Sequence, residues 1–193
     1  MAYIAVEIGP LSSSVPRPIN LPGCDVESNS NGDLAHLAGF TGCTWSQGTN
    51  STLKYGHNSI PLNGGGTLDC STNINTVTYN RNGNHDSIVP ITYHHLTIDI
   101  TNTTKSAHVK DDITINGDLT VNSGRIITNP GIILTVSGNT TLNTNGTLGF
   151  TTDATPICNL QAVILNGGQL GRSQNGTINC TSITSISGTS STI

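Results

Sequence analysis

The chain has 193 residues, which is long enough for one domain with a continuous hydrophobic core. Only 9% of its residues are charged, against roughly 25% in ordinary globular domains, and the formal net charge is −4. This composition lacks the basic surface expected of a protein that binds nucleic acid or an anionic membrane, and no apolar run approaches the roughly 18 residues of a membrane-spanning helix.

The residue types predict an all-β fold. Residues that favour helices, such as Glu, Lys, Arg, Gln and Met, are scarce along the chain. Thr, Val and Ile recur and suit strands, while 22 glycines and many asparagines supply turns.

Residues 1–35 are predicted to form an irregular lead-in, because prolines and polar clusters interrupt every regular pattern there. The apolar stretch Tyr3–Ile8 is the exception, and we expect it to form a strand that pairs with another subunit. The first residues lack the basic segment of a signal peptide. We therefore expect either a mature or excised segment that carries an added Met, or a protein made inside a cell, such as a phage component.

Residues 36–193 are predicted to form a β-rich domain whose clearest strands follow Asn75. In "ITYHHLTIDI" the apolar residues Leu96, Ile98 and Ile100 alternate with polar ones. In "DITINGDLTV" the alternation starts with Ile113 and Ile115. A period of two is typical of half-buried strands.

A longer repeat predicts how these strands are arranged. Gly117, Gly138, Gly167 and Gly188 each follow an aliphatic residue and one polar residue, and 21 residues separate both the first pair and the last pair. The middle interval contains "FTTDATPICN", which is predicted to be a loop of about eight extra residues. The pattern favours a parallel β-solenoid with coils of about 21 residues, each burying its aliphatic row against the next. An antiparallel β-sandwich is the alternative. Because the sequence stops inside the repeat, we expect the solenoid to continue or to stack on a neighbour.

The run from "NTVTYN" to "DDITINGDLTVNSGRI" resembles a recurring module of large secreted surface proteins, best known in Bacteroidota. The module contains a "TVTYNG" strand, a "TYYNLTI"-like strand, a turn with a Lys and an "ITVNGNLTVNSG" segment. The positions that match it here are Thr76–Asn80, Thr92–Ile98, Lys105 and Ile113–Gly124. The resemblance covers roughly residues 75–148 and implies a β-solenoid segment of an adhesin-like or filament-forming extracellular protein, without catalytic residues. Six histidines and five cysteines depart from the module and leave the secretion route open.

The five cysteines do not form a CxxC pair, so the spacing of a zinc ribbon is absent. A disulfide between Cys158 and Cys180 and a second one among Cys24, Cys43 and Cys70 are predicted. The alternative interpretation is that the cysteines are small buried hydrophobic residues.

Five N-x-[ST] sequons are glycosylation candidates if the chain is secreted into a compartment that glycosylates. They begin at Asn50, Asn102, Asn139, Asn145 and Asn175.

The densest charge cluster spans Lys110 to Arg125 and includes Asp111, Asp112 and Asp118. Alternation places Asp112 and Asp118 on an outward face, which makes them, with Arg81 and Arg125, the candidates for surface contacts. Paired carboxylates on a solenoid face are also what a polysaccharide lyase or hydrolase would need.

The histidines give weaker signals. His94 and His95 are adjacent in a predicted strand, so their side chains are expected on opposite faces. His95 and Asp99 are expected to share the outer face, where a metal or a sugar is a possible ligand. His85 and Asp86 lie in a polar turn without a third ligand, so we predict no metal site there and no cofactor.

The predicted function is that of a non-enzymatic extracellular structural or adhesive protein that assembles with itself. Its expected partners are further copies of the chain and glycans or a cell surface, and not nucleic acid or the interior of a membrane. The alternatives are a carbohydrate-binding or carbohydrate-active β-helix protein, a phage fibre segment, and an ice-binding module that uses outward Thr114, Thr120 and Thr140.

Overall fold

The computed structural model describes residues 19–21, 26–28, 32–34, 37–39, 44–56, 66–81, 83–85, 87–151, 155–172 and 176–186. Seventeen β-strands occur within these ranges, and no described segment is a helix that could cross a membrane. In chain order the strands are β1 (Ile19–Leu21), β2 (Val26–Ser28), β3 (Gly32–Leu34), β4 (Leu37–Gly39), β5 (Thr44–Gln47), β6 (Thr52–Tyr55), β7 (Thr67–Asp69), β8 (Thr76–Tyr79), β9 (Thr92–Tyr93), β10 (His95–Asp99), β11 (Ser106–Val109), β12 (Ile113–Ile115), β13 (Leu119–Thr128), β14 (Ile133–Phe150), β15 (Ile157–Asn166), β16 (Gln169–Arg172) and β17 (Thr177–Ser185).

All pairings between these strands are parallel. The chain reaches each partner by winding once around, so each strand lies beside the equivalent strand of the previous coil. This arrangement confirms the predicted all-β parallel solenoid and excludes the antiparallel sandwich, whose neighbouring strands would run in opposite directions.

Each coil turns through three faces. The first face is built by residues 32–34, 52–55, 76–79, 95–99, 119–121, 139–142, 162–165 and 182–185. The second face contains residues 92–93, 113–115, 133–136, 157–160 and 177–180, with the shorter ladder of β2, β5 and β7 before them. The third face contains residues 106–109, 125–128, 147–150 and 169–172.

The coil length agrees with the predicted 21 residues. Hydrogen bonds join Asp112 to Ile133 and Asp118 to Asn139, each across 21 residues. Two other side-chain hydrogen bonds between neighbouring coils, Asn179 to Asn159 and Ser123 to Asp99, span 20 and 24 residues. Small insertions at the corners account for the spread, because the faces themselves keep their strand register.

The predicted glycine series holds for its first interval and fails for its second. The Gly138 N–H donates to the Gly117 carbonyl at 2.9 Å, so these two glycines stack at equivalent corners. Gly167 lies at a different corner, beside Thr144, where it forms a bridge with Asn143.

The predicted loop of about eight extra residues is therefore wrong. Strands β14 and β15 pair with Ile133 beside Ile157 and Leu142 beside Leu165, so this coil is only two or three residues longer than 21. The error came from aligning glycines that belong to two different corners. Gly188, the last of the predicted series, lies outside the described residues.

The core is a column of aliphatic side chains inside the solenoid. On the first face, one inward row is formed by Leu53, Val77, Leu96, Leu119, Thr140, Val163 and Ile183, which follow one another in register. All of these except Ile183 are fully buried. Burying apolar surface against both neighbouring coils is what stabilises a solenoid, since a single coil cannot cover its own inward row.

Strands occur within the segment that the sequence predicts as an irregular lead-in. Strands β1, β2 and β3 precede residue 35 and pair with β4, β5 and β6, respectively. The strand predicted for residues 3–8 lies outside the described residues.

Candidate functional surface

The carboxylates of Asp112 and Asp118 each cap the backbone of the next coil. An oxygen of Asp112 accepts a hydrogen bond from the Ile133 N–H at 2.8 Å, and an oxygen of Asp118 accepts one from the Asn139 N–H at the same distance. A carboxylate that accepts a backbone N–H in this way stabilises the backbone of the following coil, at the first residue of β14 for Asp112 and within β14 for Asp118.

The charge cluster of the sequence is spread around the coil. Asp112 and Asp118 lie at opposite ends of β12, whereas Arg125 lies on the third face. Lys110 and Asp111 are exposed beside Asp112. The structure therefore does not bring the predicted group together, because the three faces of a coil point in different directions.

Asp118 has a histidine neighbour that joins two coils. The Nδ1 atom of His95 accepts a hydrogen bond from the Asp118 N–H at 2.9 Å, and the same nitrogen lies 3.7 Å from an Asp118 carboxylate oxygen. Desolvation lowers the pKa of His95, with the neighbouring His94 acting in the same direction and Asp118 opposing both. A neutral ring with its Nδ1 as acceptor fits this geometry.

The expectation that His94 and His95 point to opposite faces is wrong. Their rings meet edge to face with centroids 4.7 Å apart. His94 lies at the bend between β9 and β10, where the period-two rule of a straight strand does not apply. His95 and Asp99 both lie on the outer side of β10, as predicted, but Asp99 accepts a hydrogen bond from the hydroxyl of Ser123.

His85 is buried inside the solenoid. Its Nε2 accepts a hydrogen bond from the Arg81 N–H at 3.1 Å, and its ring packs edge to face on Tyr79 with centroids 5.0 Å apart. The neighbouring Asp86 lies outside the described residues. The Arg81 guanidinium donates to the Asn84 carbonyl at 3.0 Å and so closes the turn on which it stands.

A pair of buried tyrosines continues this polar interior. The Tyr79 and Tyr93 hydroxyls lie 3.1 Å apart, and both bond to the backbone of Val89. Burial raises the pKa of both phenols above the ordinary value, so neither ionises in the folded protein. Their role is to satisfy the backbone of a wide coil, which sequence reasoning did not predict.

The outer side of the first face carries a row of threonines. In register, the row consists of Thr78, Thr97, Thr120 and Thr141. The prediction that Thr140 belongs to an outward array is wrong, because Thr141 is the residue one coil after Thr120 and Thr140 is fully buried. Thr114 lies on the second face, away from this row.

An asparagine ladder runs along the end of the first face. The Asn143 amide donates to Asn122 at 2.8 Å, and the Asn166 amide donates to Asn143 at 2.9 Å. The sequence shows these asparagines, but only the coil period shows that they stack.

Arg125 lies in an open cleft at the corner between the first and third faces. The cleft has a volume of about 360 Å³. Its lining consists of Thr103, Thr104, Arg125, Thr144, Asn145, Thr147 and Gln169. Sequence reasoning selected Arg125 as a contact candidate and Asn145 only as a glycosylation candidate. The other residues could have been found from the coil period, since Thr147 lies beside Arg125 in the next coil.

The predicted disulfide between Cys158 and Cys180 is not formed. Both are free thiols, as is Cys70. Cys158 lies beside Ile178 and Cys180 beside Leu160, so the two cysteines are out of register by two positions. Burial raises the pKa of Cys158 to about 11, which fits the alternative interpretation of a small buried hydrophobic residue. Cys24 and Cys43 lie outside the described residues.

Four of the five asparagines predicted as glycosylation candidates are described, and all four are exposed. Asn50 and Asn102 lie in turns, Asn139 and Asn145 in β14. Asn175 lies outside the described residues. A further sequon, Asn179-Cys180-Thr181, is not among the predicted candidates, and its Asn179 is exposed in β17.

No group of three or more His, Cys, Asp or Glu side chains in the described part of the chain is arranged to hold a metal ion. No family model, no curated protein and no solved structure matches this chain.

Proposed function

We propose that the chain is a non-enzymatic extracellular structural protein that assembles end to end through its last coil. The observation that carries the proposal is the state of β17. This strand pairs with β15 along one edge, and no described strand pairs with the other edge. The backbone donors and acceptors on that edge of the nine-residue strand therefore have no partner strand among the described residues.

The apolar core is open at the same end. Ile183 continues the inward row and lies directly beside Val163. Val163 is fully buried, whereas 43% of Ile183 is exposed, and Ile186 is exposed to the same extent. An uncovered strand edge next to uncovered core side chains is a surface that a further coil would bury.

The occupant we propose is a second copy of this chain. The ladders are parallel throughout, so translation of a copy along the solenoid axis places β3 of the second copy beside β17 in the same direction. Strand β3 pairs with β6 alone among the described strands, which leaves its other edge for this contact. The 9% charged residues and the net charge of −4 limit the repulsion between stacked copies. A head-to-tail contact of this kind does not close, and it produces a filament.

The exposed sequon asparagines and the polar outer faces support an extracellular location and an adhesive role. The same proposal includes the finer relationship to secreted surface proteins of the Bacteroidota type, which rests on the match of the strand pattern from "TVTYN" to "LTVNSG". Three of the five cysteines are free thiols, so this proposal does not rely on an oxidising compartment.

The test compares the oligomeric state of the wild type with that of Ile183→Lys. Light scattering and negative-stain electron microscopy over a range of concentrations should show filaments or oligomers of the wild type. Ile183→Lys should remain monomeric, because it places a charge on the open core. Ile74→Lys is the matched control, since Ile74 is 53% exposed and lies away from β17. A wild type that is strictly monomeric at every concentration, or filaments that persist in Ile183→Lys, would overturn the proposal.

The ice-binding alternative has one observation in its favour, the threonine row on the first face. Thr97, Thr120 and Thr141 of this row are half-buried and present hydroxyl and methyl groups at the strand spacing of roughly 4.8 Å, whereas Thr78 is buried. The flanking positions are His95, Asp118 and Asn139, so the paired threonine columns of a TxT surface are absent. This alternative predicts thermal hysteresis that falls in Thr120→Tyr, and an absence of hysteresis in the wild type would dismiss it.

A further inference from the structure

The cleft around Arg125 is formed by four successive coils, the last of which contributes Gln169 of β16. The loop between β10 and β11 supplies Thr103 and Thr104, β13 supplies Arg125, and β14 supplies Thr144 and Asn145. The loop stands out from the corner because the chain needs six residues between Asp99 and Ser106, whereas β13 passes the same corner without interruption. The projecting loop forms one wall of the cleft.

This wall is held in place by its own hydrogen bonds. The Asn102 side-chain oxygen accepts hydrogen bonds from the Thr104 N–H at 3.1 Å and from the Thr104 hydroxyl at 2.8 Å. The Arg125 N–H donates to the Lys105 carbonyl at 3.1 Å, which fixes the floor of the cleft to the base of the loop. A ligand would therefore meet a site that is already formed.

Arg125 is a half-buried cation whose guanidinium has no partner among the residues that the structure describes. Its backbone lies between Ser106 and Thr147 of the neighbouring coils, both of which are buried. Neither a hydrogen bond nor an ion pair links its guanidinium to any other described residue, and no carboxylate lines the cleft. A partly desolvated charge that lacks a counterion favours the binding of an anion.

We propose that this cleft binds an acidic sugar, with the guanidinium of Arg125 holding the carboxylate of a uronic acid residue. A guanidinium pairs with a carboxylate through two parallel hydrogen bonds. The surrounding lining contains threonine hydroxyls and the amide of Asn145, which match the hydroxyl groups of a sugar ring. No aromatic ring lines the cleft, so a neutral sugar has no surface on which to stack.

The size of the cleft agrees with this ligand. A volume of about 360 Å³ is near the lower limit of small-molecule pockets and accommodates one or two sugar rings. The site lies on the side of the solenoid and not on the open edge of β17, so it does not depend on end-to-end assembly. Together with the adhesive function proposed above, on which this step rests, the cleft would make acidic glycans the class that this chain recognises.

The test is calorimetric titration of the full chain with a galacturonic acid disaccharide. A neutral galactose disaccharide and sodium sulfate are titrated in parallel. We expect the acidic sugar to bind, with millimolar or better affinity that weakens as salt is added, and the neutral sugar not to bind.

Arg125→Gln removes the positive charge and the bidentate donor fork of the guanidinium but leaves a polar, although shorter, side chain. It should weaken binding by at least about tenfold, the usual effect of losing a charge-assisted hydrogen bond. Arg81→Gln is the matched control and should bind as the wild type does, because Arg81 donates to Asn84 in a separate turn. Thermal unfolding of each variant establishes that it is folded.

Three results would overturn the proposal. They are the absence of binding by the folded wild type, equal binding of acidic and neutral disaccharides, and unchanged affinity in Arg125→Gln. Binding of sulfate as tight as that of the disaccharide would show an anion site without sugar specificity, and it would overturn the assignment of the ligand. Light scattering on the same samples measures filament assembly, so a failure of sugar binding can be told apart from a failure of assembly.

Discussion

Strands β14 and β17 follow the same alternating pattern but have different burial. Strand β14 lies between β13 and β15, and its inward Leu142 is fully buried. Among the described strands β17 has only β15 beside it, and 43% of its inward Ile183 is exposed. The alternation of apolar and polar residues therefore sets which way a side chain points, whereas the presence of a neighbouring coil decides whether it is buried.

The same contrast applies to the energetics. An inward residue of an interior coil contacts the coil before it and the coil after it, so its removal affects two interfaces. A residue of the last coil has one interface to lose. Stability in a solenoid is a sum over such interfaces, and the two regions should respond differently to the same change.

The largest loss of stability is expected from a substitution at an interior corner where two coils approach closely. A Cβ atom at Gly146 would collide with the carbonyl group of Val121 in the preceding coil. Gly146→Ala should therefore force the coils apart and destabilise the protein by at least about 4 kcal/mol, a value reserved for severe packing defects. Chemical denaturation followed by circular dichroism measures this loss.

Gly131→Ala is the control for that substitution. Gly131 has a φ of +71°, but a Cβ atom there would meet nothing within 4 Å. The strain of a left-handed alanine costs about 1–2 kcal/mol. If Gly131→Ala destabilised the protein as much as Gly146→Ala does, the close approach of the coils would not be the cause.

The next prediction compares the loss of stability at two positions of the inward row on the first face. Leu119→Ala removes a fully buried side chain between two coils and should destabilise the protein by about 3 kcal/mol. Ile183→Ala acts on the exposed end of the same row and should cost less than about 1 kcal/mol in the monomer. Equal losses of unfolding free energy would mean that Ile183 is covered in solution, as it would be in an assembled filament.

The sequence was sufficient to predict which strand residues point inward, but not which corner of the coil each glycine occupies. The inward direction of Ile113 and Ile115 follows from a period of two, which is a local property of a strand. The placement of Gly167 depends on which of three corners it occupies, and "x-polar-Gly" occurs at more than one of them. Corner identity is a property of the whole coil, so local comparison of glycines misplaced it.

The candidate site was predictable to a similar degree. Arg125 stands out because cations are few, seven in the whole chain. The cleft around it needs Thr103 from one coil and Thr144 from another, and the projecting loop that carries Thr103 interrupts the repeat. The coil register, which the sequence indicates only approximately, is what brings these residues together.

A smaller change in stability, this time a gain, is expected from a substitution at Thr140. Its side chain is fully buried in the aliphatic row, and its hydroxyl has no hydrogen-bond partner. An unsatisfied buried hydroxyl costs about 1–3 kcal/mol, so Thr140→Val should stabilise the protein by about 1 kcal/mol. Thr141→Val, at the half-buried outward neighbour, is the control and should change the free energy of unfolding by less than about 0.5 kcal/mol. Destabilisation by Thr140→Val would mean that the hydroxyl is bonded in solution.

The smallest effect concerns the reactivity of two thiols that differ in the same way as β14 and β17. Cys158 is fully buried on the second face, whereas Cys180 is half-buried at the open end. At neutral pH, a thiol reagent should modify Cys180 at least about tenfold faster than Cys158, because modification of Cys158 requires the coils to open. Peptide mapping by mass spectrometry resolves each site from the others.

The pH dependence of Cys158 has a definite sign. Its pKa in the folded protein, about 11, exceeds the ordinary value of 9.0, so the fold favours the neutral thiol. The stability that this preference contributes is fully present below about pH 9 and is lost as the pH rises through about 11. The rate of modification at Cys158 should therefore rise steeply in that window, as unfolding becomes easier.

Filament formation should change the modification rates of the two thiols differently. A second copy stacked on β17 would cover Cys180 and slow its modification as the protein concentration rises, whereas the rate at Cys158 would not change. A concentration-independent rate at Cys180 would show that the open end stays open.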